Sequence, residues 1–227
     1  MKAILCLLLI LLATPVFAAA PINLDCTKSQ IIKYYESGEY ETDVSTVMSE
    51  AESYLQNRVN ENNVSANPAR LAVVLDIDDT SISHFVANKR NDFSLSELVR
   101  VLSKETKEPV VKPVLYFFNK AVASGTAVFF ISSRPDSGRA NILTVLRNAG
   151  YAGWAEVYLT TENESHLSGR EFKTAKRKYI ESQGYKIILN IGDQDSDLDG
   201  GYAEKTFKIP NPMYSSAEDP CLGAACK

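Results

Sequence analysis

Apolar side chains recur every three or four positions between residues 40 and 60, with polar residues between them. The apolar set is Val44, Val47, Met48, Ala51, Tyr54, Leu55 and Val59. Positions with this period lie along one face of an α-helix, and such a face is usually buried against the rest of a domain. The pattern predicts an amphipathic helix within an N-terminal helical region over residues 27–62, with packing as its main role.

From residue 71 onward the pattern changes to short continuous apolar runs, which are typical of strands buried on both faces of a sheet. These runs are 71–75, 127–131, 156–159, 187–191 and a weaker 206–209. Helical stretches separate them at 113–124, 137–149 and 170–183, and each is followed by a glycine that suits a helix C-cap. This alternation predicts an α/β fold with a doubly wound parallel sheet, in which ligands bind at the carboxyl ends of the strands.

The segment from residue 84 to 112 does not fit this alternation, because it is long and polar and contains a helix of its own. Ser94-Leu95-Ser96-Glu97 forms a capping box for that helix. A long insertion after the first strand is well placed to cover the end of the sheet, so we expect a cap over the active site. A purely structural excursion is the alternative.

The N-terminus has the features of a secretory signal peptide. Lys2 precedes an apolar stretch over residues 3–12, and Val16-Phe17-Ala18 provides a cleavage site. The stretch is shorter than the ~20 residues that a membrane-spanning helix needs, and no later segment approaches that length. We expect residues 1–18 to be removed, leaving residues 19–227 as a secreted or periplasmic domain without membrane contact. A retained membrane anchor is the alternative.

The composition is that of a globular protein with an acidic balance, 28 Asp and Glu against 24 Lys and Arg. No basic run interleaved with aromatic residues is present in the sequence, so a nucleic acid polymer is not an expected partner. The Tyr-rich N-terminal region could supply the interface of a homo-oligomer.

Removal of the signal peptide takes Cys6 away and leaves an odd number of cysteines, namely Cys26, Cys221 and Cys226. In an oxidising compartment we expect one disulfide, either Cys221–Cys226 or Cys26 with one of these two, and one remaining thiol. Zinc binding by the cysteines is a poor alternative, because the two histidines of the chain lack ligand spacing.

The first predicted strand runs directly into Asp76-Ile77-Asp78-Asp79-Thr80. Side chains alternate along a strand, so Asp76 and Asp78 are expected to point the same way and converge. Carboxylates held close repel each other, which favours protonation of one of them or neutralisation by a cation. Asp76 could then attack phosphorus, while Asp78 gives a proton to the leaving alcohol and later takes one from water. A solvated acidic turn is the alternative.

Polar groups also follow two later strands. Ser132 could hydrogen-bond a phosphate oxygen, although a serine in a turn is a common alternative. Asp193 lies in an acidic loop that suits Mg²⁺, and Asp197, one helical turn later, could support the metal or its waters. Phosphoryl transfer also needs a cationic side chain. Lys173, near the start of the helix 170–183, is the candidate, and Lys176 is its competitor.

Taken in order, these motifs resemble the haloacid dehalogenase (HAD) superfamily: Asp-x-Asp-x-Thr at 76–80, an apolar run ending in Ser132, a lysine, and Gly-Asp-x-x-x-Asp at 192–197. Residues 31–47, with Tyr34-Tyr35, Ser37-Gly38 and Tyr40, look like the helical lead-in of subfamily IIIB, the plant and bacterial class B-like acid phosphatases. Residues 129–134 and 192–198 are similar to the strand-Thr-Gly-Arg and Gly-Asp-Gln-Trp-Ser-Asp-Leu signatures of that branch. The similarity covers nearly all of the mature chain.

The resemblance implies a Rossmann-like sheet with a small helical cap, and an Mg²⁺-dependent acid phosphatase that hydrolyses small phosphorylated metabolites through a phospho-aspartyl intermediate. Asp76 would be the nucleophile and Asp78 the general acid and base. The metal would be held by the side chains of Asp76 and Asp193 and by the backbone carbonyl of Asp78. The candidate phosphate-binding residues are Thr80, Ser132, Ser133 and Lys173.

Two departures from the branch signatures change the lining of the site: Ser132-Ser133 stands where Thr-Gly is usual, and Asp195 where Trp is usual. They leave the substrate preference open. Three alternatives use the same scaffold: a non-catalytic storage or binding protein, a phosphotransferase with the same intermediate, and a dehalogenase. The presence of Asp76 argues against the first, and that of Asp78 against the last, because a dehalogenase protonates no alkoxide.

Overall fold

The computed structural model describes residues 22–94 and 108–215 of the 227-residue chain. Two helices, α1 (Leu24–Glu36) and α2 (Glu39–Asn63), precede an alternation of strands and helices. The following elements, in chain order, are β1 (Arg70–Leu75), α3 (Phe85–Arg90), α4 (Lys112–Ala123), β2 (Ala127–Pro135), α5 (Arg139–Asn148), β3 (Glu156–Thr160), α6 (Gly169–Ser182), β4 (Tyr185–Gly192), α7 (Asp195–Leu198) and β5 (Lys205–Lys208).

The strands form one parallel sheet in the order β3-β2-β1-β4-β5. From the central β1 the chain moves outward to β2 and β3, and then returns to β4 on the other side of β1. The strand order therefore reverses between β1 and β4, which is where doubly wound sheets bind ligands, outside the carboxyl ends of the strands. The predicted doubly wound parallel sheet is confirmed.

Two hydrophobic layers cover the sheet. Helices α2, α4 and α5 pack on one face, and α6 packs on the other. Along β1, Leu71, Val73 and Leu75 enter the first layer, whereas Val74 enters the second with Phe172 of α6. The same alternation carries Asp76, the residue after the strand, towards α6.

The apolar stripe predicted between residues 40 and 60 lies on α2, and its side chains are buried or half-buried against the core. The predicted helix C-caps are also confirmed. The glycines that follow α4, α5 and α6 adopt left-handed backbone conformations, with φ of 76°, 99° and 83° at Gly125, Gly150 and Gly184.

The N-terminal helical region consists of two helices, which are separated by Gly38 in a left-handed conformation with φ of 83°. Its tyrosines contact one another and Phe85 at the start of α3. The rings of Tyr35 and Phe85 stack with centroids 4.1 Å apart, and those of Tyr35 and Tyr40 with centroids 4.2 Å apart. Part of the aromatic surface of this region is thus used within the chain.

Several predicted features lie outside the described residues. These are the signal peptide, most of the predicted cap helix with Glu97 of its capping box, and Cys221 and Cys226. Cys26 lies on the exposed side of α1. Within residues 22–94 and 108–215, no helix is both long and apolar enough to cross a membrane.

Candidate active site

Three buried carboxylates meet where β1 and β4 end. Asp76 directly follows β1, Asp193 directly follows β4, and Asp197 lies in α7. One oxygen of each carboxylate lies within 4.8 Å of the others. Because β1 and β4 are neighbours at the reversal of strand order, two residues 117 positions apart come together. The arrangement can hold a metal ion.

Burial and mutual repulsion make this cluster unfavourable for negative charge. Burial, followed by the charges of Asp197 and Asp79, raises the pKa of Asp193 to about 7. Burial likewise raises the pKa of Asp76 well above its ordinary value; Lys173 opposes this shift, and the neighbouring carboxylates add to it. A bound cation removes both penalties, and an all-oxygen donor set suits a hard divalent ion. The residues present therefore fit a metal of the Mg²⁺ type.

Three neutral donors fix the side chain of Asp193. Thr80 Oγ1 donates to its Oδ1 at 2.8 Å, while Gln194 Nε2 and Asn211 Nδ2 donate to its Oδ2 at 2.5 and 2.8 Å. Thr80 thus contacts the predicted metal ligand, and its predicted contact with phosphate stays a prediction. Asn211, beyond the last strand, carries no local sequence signal that could have identified it.

Lys173 is the cation of the site. Its Nζ lies 2.5 Å from Asp76 Oδ1 and 2.5 Å from Asp197 Oδ1, and its side chain is buried. A capping box formed by Ser168 and Glu171 starts α6 one turn earlier, which sets Lys173 at the amino end of that helix. The competitor Lys176 instead pairs with Glu164. Of the two lysines, the structure brings Lys173 to the carboxylate cluster.

Asp197 organises the loop after β4. Its Oδ2 accepts hydrogen bonds from the backbone N–H groups of Asp193 and Gln194, at 3.1 and 2.9 Å. Arg177, which is fully buried in α6, donates to the backbone carbonyls of Asp197, Asp199 and Gly201. The loop coils as predicted and forms α7. The hydrogen bonds made by the side chains of Asp197 and Arg177 hold its backbone in place.

Asp78 lies at the same end of the sheet, and its side chain contacts two residues of β2. Its Oδ2 accepts a hydrogen bond from Ser132 Oγ at 2.9 Å, and its Oδ1 accepts one from Arg134 Nε at 2.7 Å. The charge of Asp78 contributes to the raised pKa of Asp76, so the two carboxylates are near enough to repel each other, and their predicted convergence stays a prediction. Burial raises the pKa of Asp78, but Arg134, His84 and Ser132 outweigh burial and lower it to about 2.

The two predicted serines differ in environment. Ser132 is buried and faces Asp78, whereas Ser133 is exposed and lines a neighbouring cleft of about 670 Å³ with residues of the loop before α6. The structure therefore brings Ser132, Asp78, Asp76, Asp193, Asp197, Thr80 and Lys173 to the carboxyl end of the sheet and leaves Ser133 at its margin.

A second buried network adjoins Asp78, and local sequence patterns offered little indication of it. His84 Nδ1 lies 3.1 Å from Asp79 Oδ2, and His84 Nε2 lies 2.6 Å from Glu108 Oε2. The hydroxyl of Tyr214 donates a hydrogen bond to Asp79 Oδ2 at 2.7 Å. Arg134 stood within the strand-end motif that resembles the family signature, but Glu108 and Tyr214 have no local signal.

Comparison with known families gives a match over residues 13–217 to the model of HAD superfamily, subfamily IIIB (acid phosphatase). Stem 28 kDa glycoprotein of Glycine max is 30% identical over 207 residues, covering 88% of this chain and 78% of that protein. Acid phosphatase 1 of Solanum lycopersicum is 27% identical over 146 residues, covering 62% of this chain and 57% of that protein. Vegetative storage proteins of Arabidopsis thaliana are also among the relatives.

The class C acid phosphatase from Bacillus anthracis has a similar structure, with a TM-score of 0.64 over 85% of this chain and 87% of that one. At 19% identity this likeness shows the fold. The family match spans the sheet and every carboxylate of the cluster. The chain therefore belongs to the HAD superfamily, subfamily IIIB, the acid phosphatase family.

Proposed function

We propose that this protein is an exported, Mg²⁺-dependent acid phosphatase that hydrolyses small phosphomonoesters through a phospho-aspartate on Asp76. Membership of an acid phosphatase family supports a phosphomonoesterase, which is a hydrolase. One observation carries the mechanism: Asp76 and Asp193 meet, buried, at the reversal of strand order, with Lys173 against Asp76. Such a site can neutralise and position a phosphate dianion.

The side chains of Asp76 and Asp193, with the backbone carbonyl of Asp78, would hold the metal. When bound, Mg²⁺ supplies positive charge that screens the acidic cluster and the phosphate oxygens from each other. Lys173 adds a fixed positive charge beside Asp76. Asp197 keeps Lys173 and the loop after β4 in place through the contacts described above.

In the first chemical step, a carboxylate oxygen of Asp76 attacks phosphorus. The bond between phosphorus and the ester oxygen breaks, and its electron pair stays on that oxygen, which takes the proton of Asp78 and leaves as an alcohol. Because the pairing with Arg134 keeps the pKa of Asp78 low, Asp78 carries this proton only when Arg134 is not paired with it. Lys173 and Ser132 stabilise the negative charge that spreads over the phosphoryl oxygens.

In the second step, the carboxylate of Asp78 takes a proton from a water molecule. The water oxygen attacks phosphorus, the bond between phosphorus and Asp76 breaks, and inorganic phosphate leaves. Asp76 is again a carboxylate and Asp78 again carries a proton, so the cycle is complete. A phosphotransferase would share the first step and replace water by an alcohol.

The test is hydrolysis of 4-nitrophenyl phosphate with Mg²⁺, after EDTA treatment, and after Mg²⁺ is restored. We expect turnover that EDTA removes and Mg²⁺ recovers, with phosphate and nitrophenol released in equal amounts. A rate that EDTA leaves unchanged would contradict the metal-dependent mechanism. An excess of nitrophenol over phosphate in the presence of an added alcohol would identify a transferase, and absence of turnover would favour a storage or binding protein.

Export is tested separately, by N-terminal sequencing of protein recovered from outside the cytoplasm of an expressing cell. We expect the mature chain to begin at residue 19. A chain that retains residues 1–18 would contradict cleavage of the predicted signal peptide.

A further inference from the structure

Both carboxylate oxygens of Asp78 are occupied. Ser132 Oγ donates to Oδ2 at 2.9 Å, and the guanidinium of Arg134 contacts Oδ1 through Nε at 2.7 Å and Nη2 at 2.5 Å. In the proposed first step the same carboxyl group must lie against the ester oxygen of the leaving alcohol. Arg134 must therefore release Asp78 before the proton can be transferred.

Glu108 lies beside Arg134 and has an unused oxygen. Its Oε2 lies 3.8 Å from Arg134 Nη2, and its side chain is 4% exposed. Its Oε1 is buried and accepts no hydrogen bond from any residue that the structure describes. A buried acceptor without a donor costs roughly 1–3 kcal/mol, and more when the group is charged. A hydrogen-bond donor that binds Oε1 removes this cost.

Glu108 and His84 form the rigid part of this arrangement. His84 is 1% exposed, and its two ring nitrogens contact Asp79 and Glu108. Its backbone N–H donates to Asp79 Oδ1 at 2.7 Å, and Tyr214 holds the other oxygen of Asp79. The side chain of Arg134 is 17% exposed and so less enclosed than those of Glu108 and His84. Its Nη2 already lies 3.1 Å from His84 Nε2, on the side where Glu108 lies, so the guanidinium has a short way to turn.

We propose that Glu108 is a positioning residue that receives Arg134 when Asp78 turns to the leaving group. The guanidinium then exchanges between two carboxylates, and a buried positive charge has a partner throughout the reaction. The exchange rests on the proposed phosphatase function. Glu108 acts through Arg134 and does not touch the substrate.

Glu108→Gln tests the exchange, because glutamine keeps the shape of the side chain and removes the charge that attracts Arg134. Arg134 then stays paired with Asp78. Alkyl esters such as glycerol 2-phosphate need a proton on the leaving oxygen, whereas 2,4-dinitrophenyl phosphate has a leaving group stable without one. We expect kcat/KM for glycerol 2-phosphate to fall about tenfold or more relative to that for 2,4-dinitrophenyl phosphate, since a general acid contributes about 10²–10⁴-fold.

The matched control is Glu50→Gln, an exposed glutamate on α2, which should leave the ratio of the two rates unchanged. An equal loss for both substrates in Glu108→Gln, or no loss for either, overturns the proposal. Failure of the phosphatase function is distinguishable, because the wild-type protein would then hydrolyse neither ester.

A second measurement does not depend on the folding of a variant. In a crystal structure of the wild-type protein with Mg²⁺ and beryllofluoride, we expect Arg134 to lie within about 3 Å of Glu108 Oε1, with Asp78 turned towards the leaving-group position. Arg134 still bound to Asp78 in that complex overturns the proposal.

Discussion

Removal of the Lys173 ammonium should destabilise the metal-free protein far more than removal of the nearby Lys176. Lys173 bridges Asp76 and Asp197, and the side chains of both carboxylates are only 4% exposed. Loss of one partner of a buried ion pair costs about 3–5 kcal/mol, because the other charge stays buried without compensation. Lys173→Met leaves two such carboxylates, so we expect the free energy of unfolding to fall by an amount in this range.

Lys176→Met is the matched control on the same helix. Lys176 pairs with Glu164, and their side chains are 18% and 25% exposed. A pair that retains this contact with water contributes about 0–1 kcal/mol. The two variants remove the same group from positions three residues apart, so their difference isolates the carboxylate cluster.

The assay is urea denaturation at neutral pH in EDTA, followed by fluorescence. We expect a lower midpoint for Lys173→Met with an unchanged slope, which corresponds to roughly 6–20 °C in melting temperature for a domain of this size. Mg²⁺ should restore part of the loss, because it binds the folded state and neutralises the buried carboxylates that have lost their partner. Equal midpoints for Lys173→Met and Lys176→Met would refute the assignment of Lys173 to the cluster.

Three further predictions concern the same site. The raised pKa of Asp193 means that the folded protein holds this proton more tightly than the unfolded chain. Its contribution to stability is therefore fully present below its ordinary pKa of 3.8 and is lost as the pH rises to about 7. The melting temperature of the metal-free wild type minus that of Asp193→Asn should fall over this window, and a constant difference would contradict the shift. Asp76→Asn should abolish phosphate release while circular dichroism shows an intact fold; a near-wild-type rate would remove Asp76 from its role. In Gly192→Ala the new Cβ would lie 2.4 Å from Asp197 Cβ, so the loop must move, and we expect weaker Mg²⁺ binding by calorimetry and a loss of about 1–3 kcal/mol. The Cβ of the control Gly138→Ala meets no atom within 4 Å, and similar effects in both variants would contradict this steric argument.

The sequence alone predicted the buried strands and the polar residues that follow them. A strand buried on both faces needs a continuous apolar run, and this requirement is visible within a few residues. Because the carboxyl ends of parallel strands share one edge of the sheet, the local pattern was enough to place Asp76 and Asp193 at the same edge. The amphipathic period of α2 and the glycines that end α4, α5 and α6 are local signals of the same kind.

The tertiary structure decided which of these groups touch. Strand order brings β1 beside β4 and so puts Asp76 next to Asp193, while Asp78 pairs with Arg134 of the neighbouring strand β2. The choice of Lys173 over Lys176 depends on the rotation of α6 against the sheet. The contacts among His84, Glu108 and Tyr214 join segments far apart in the chain, and packing rather than any local periodicity brings them together. A local pattern fixes which face of an element is apolar, whereas the partners of a buried polar group depend on how all the elements pack.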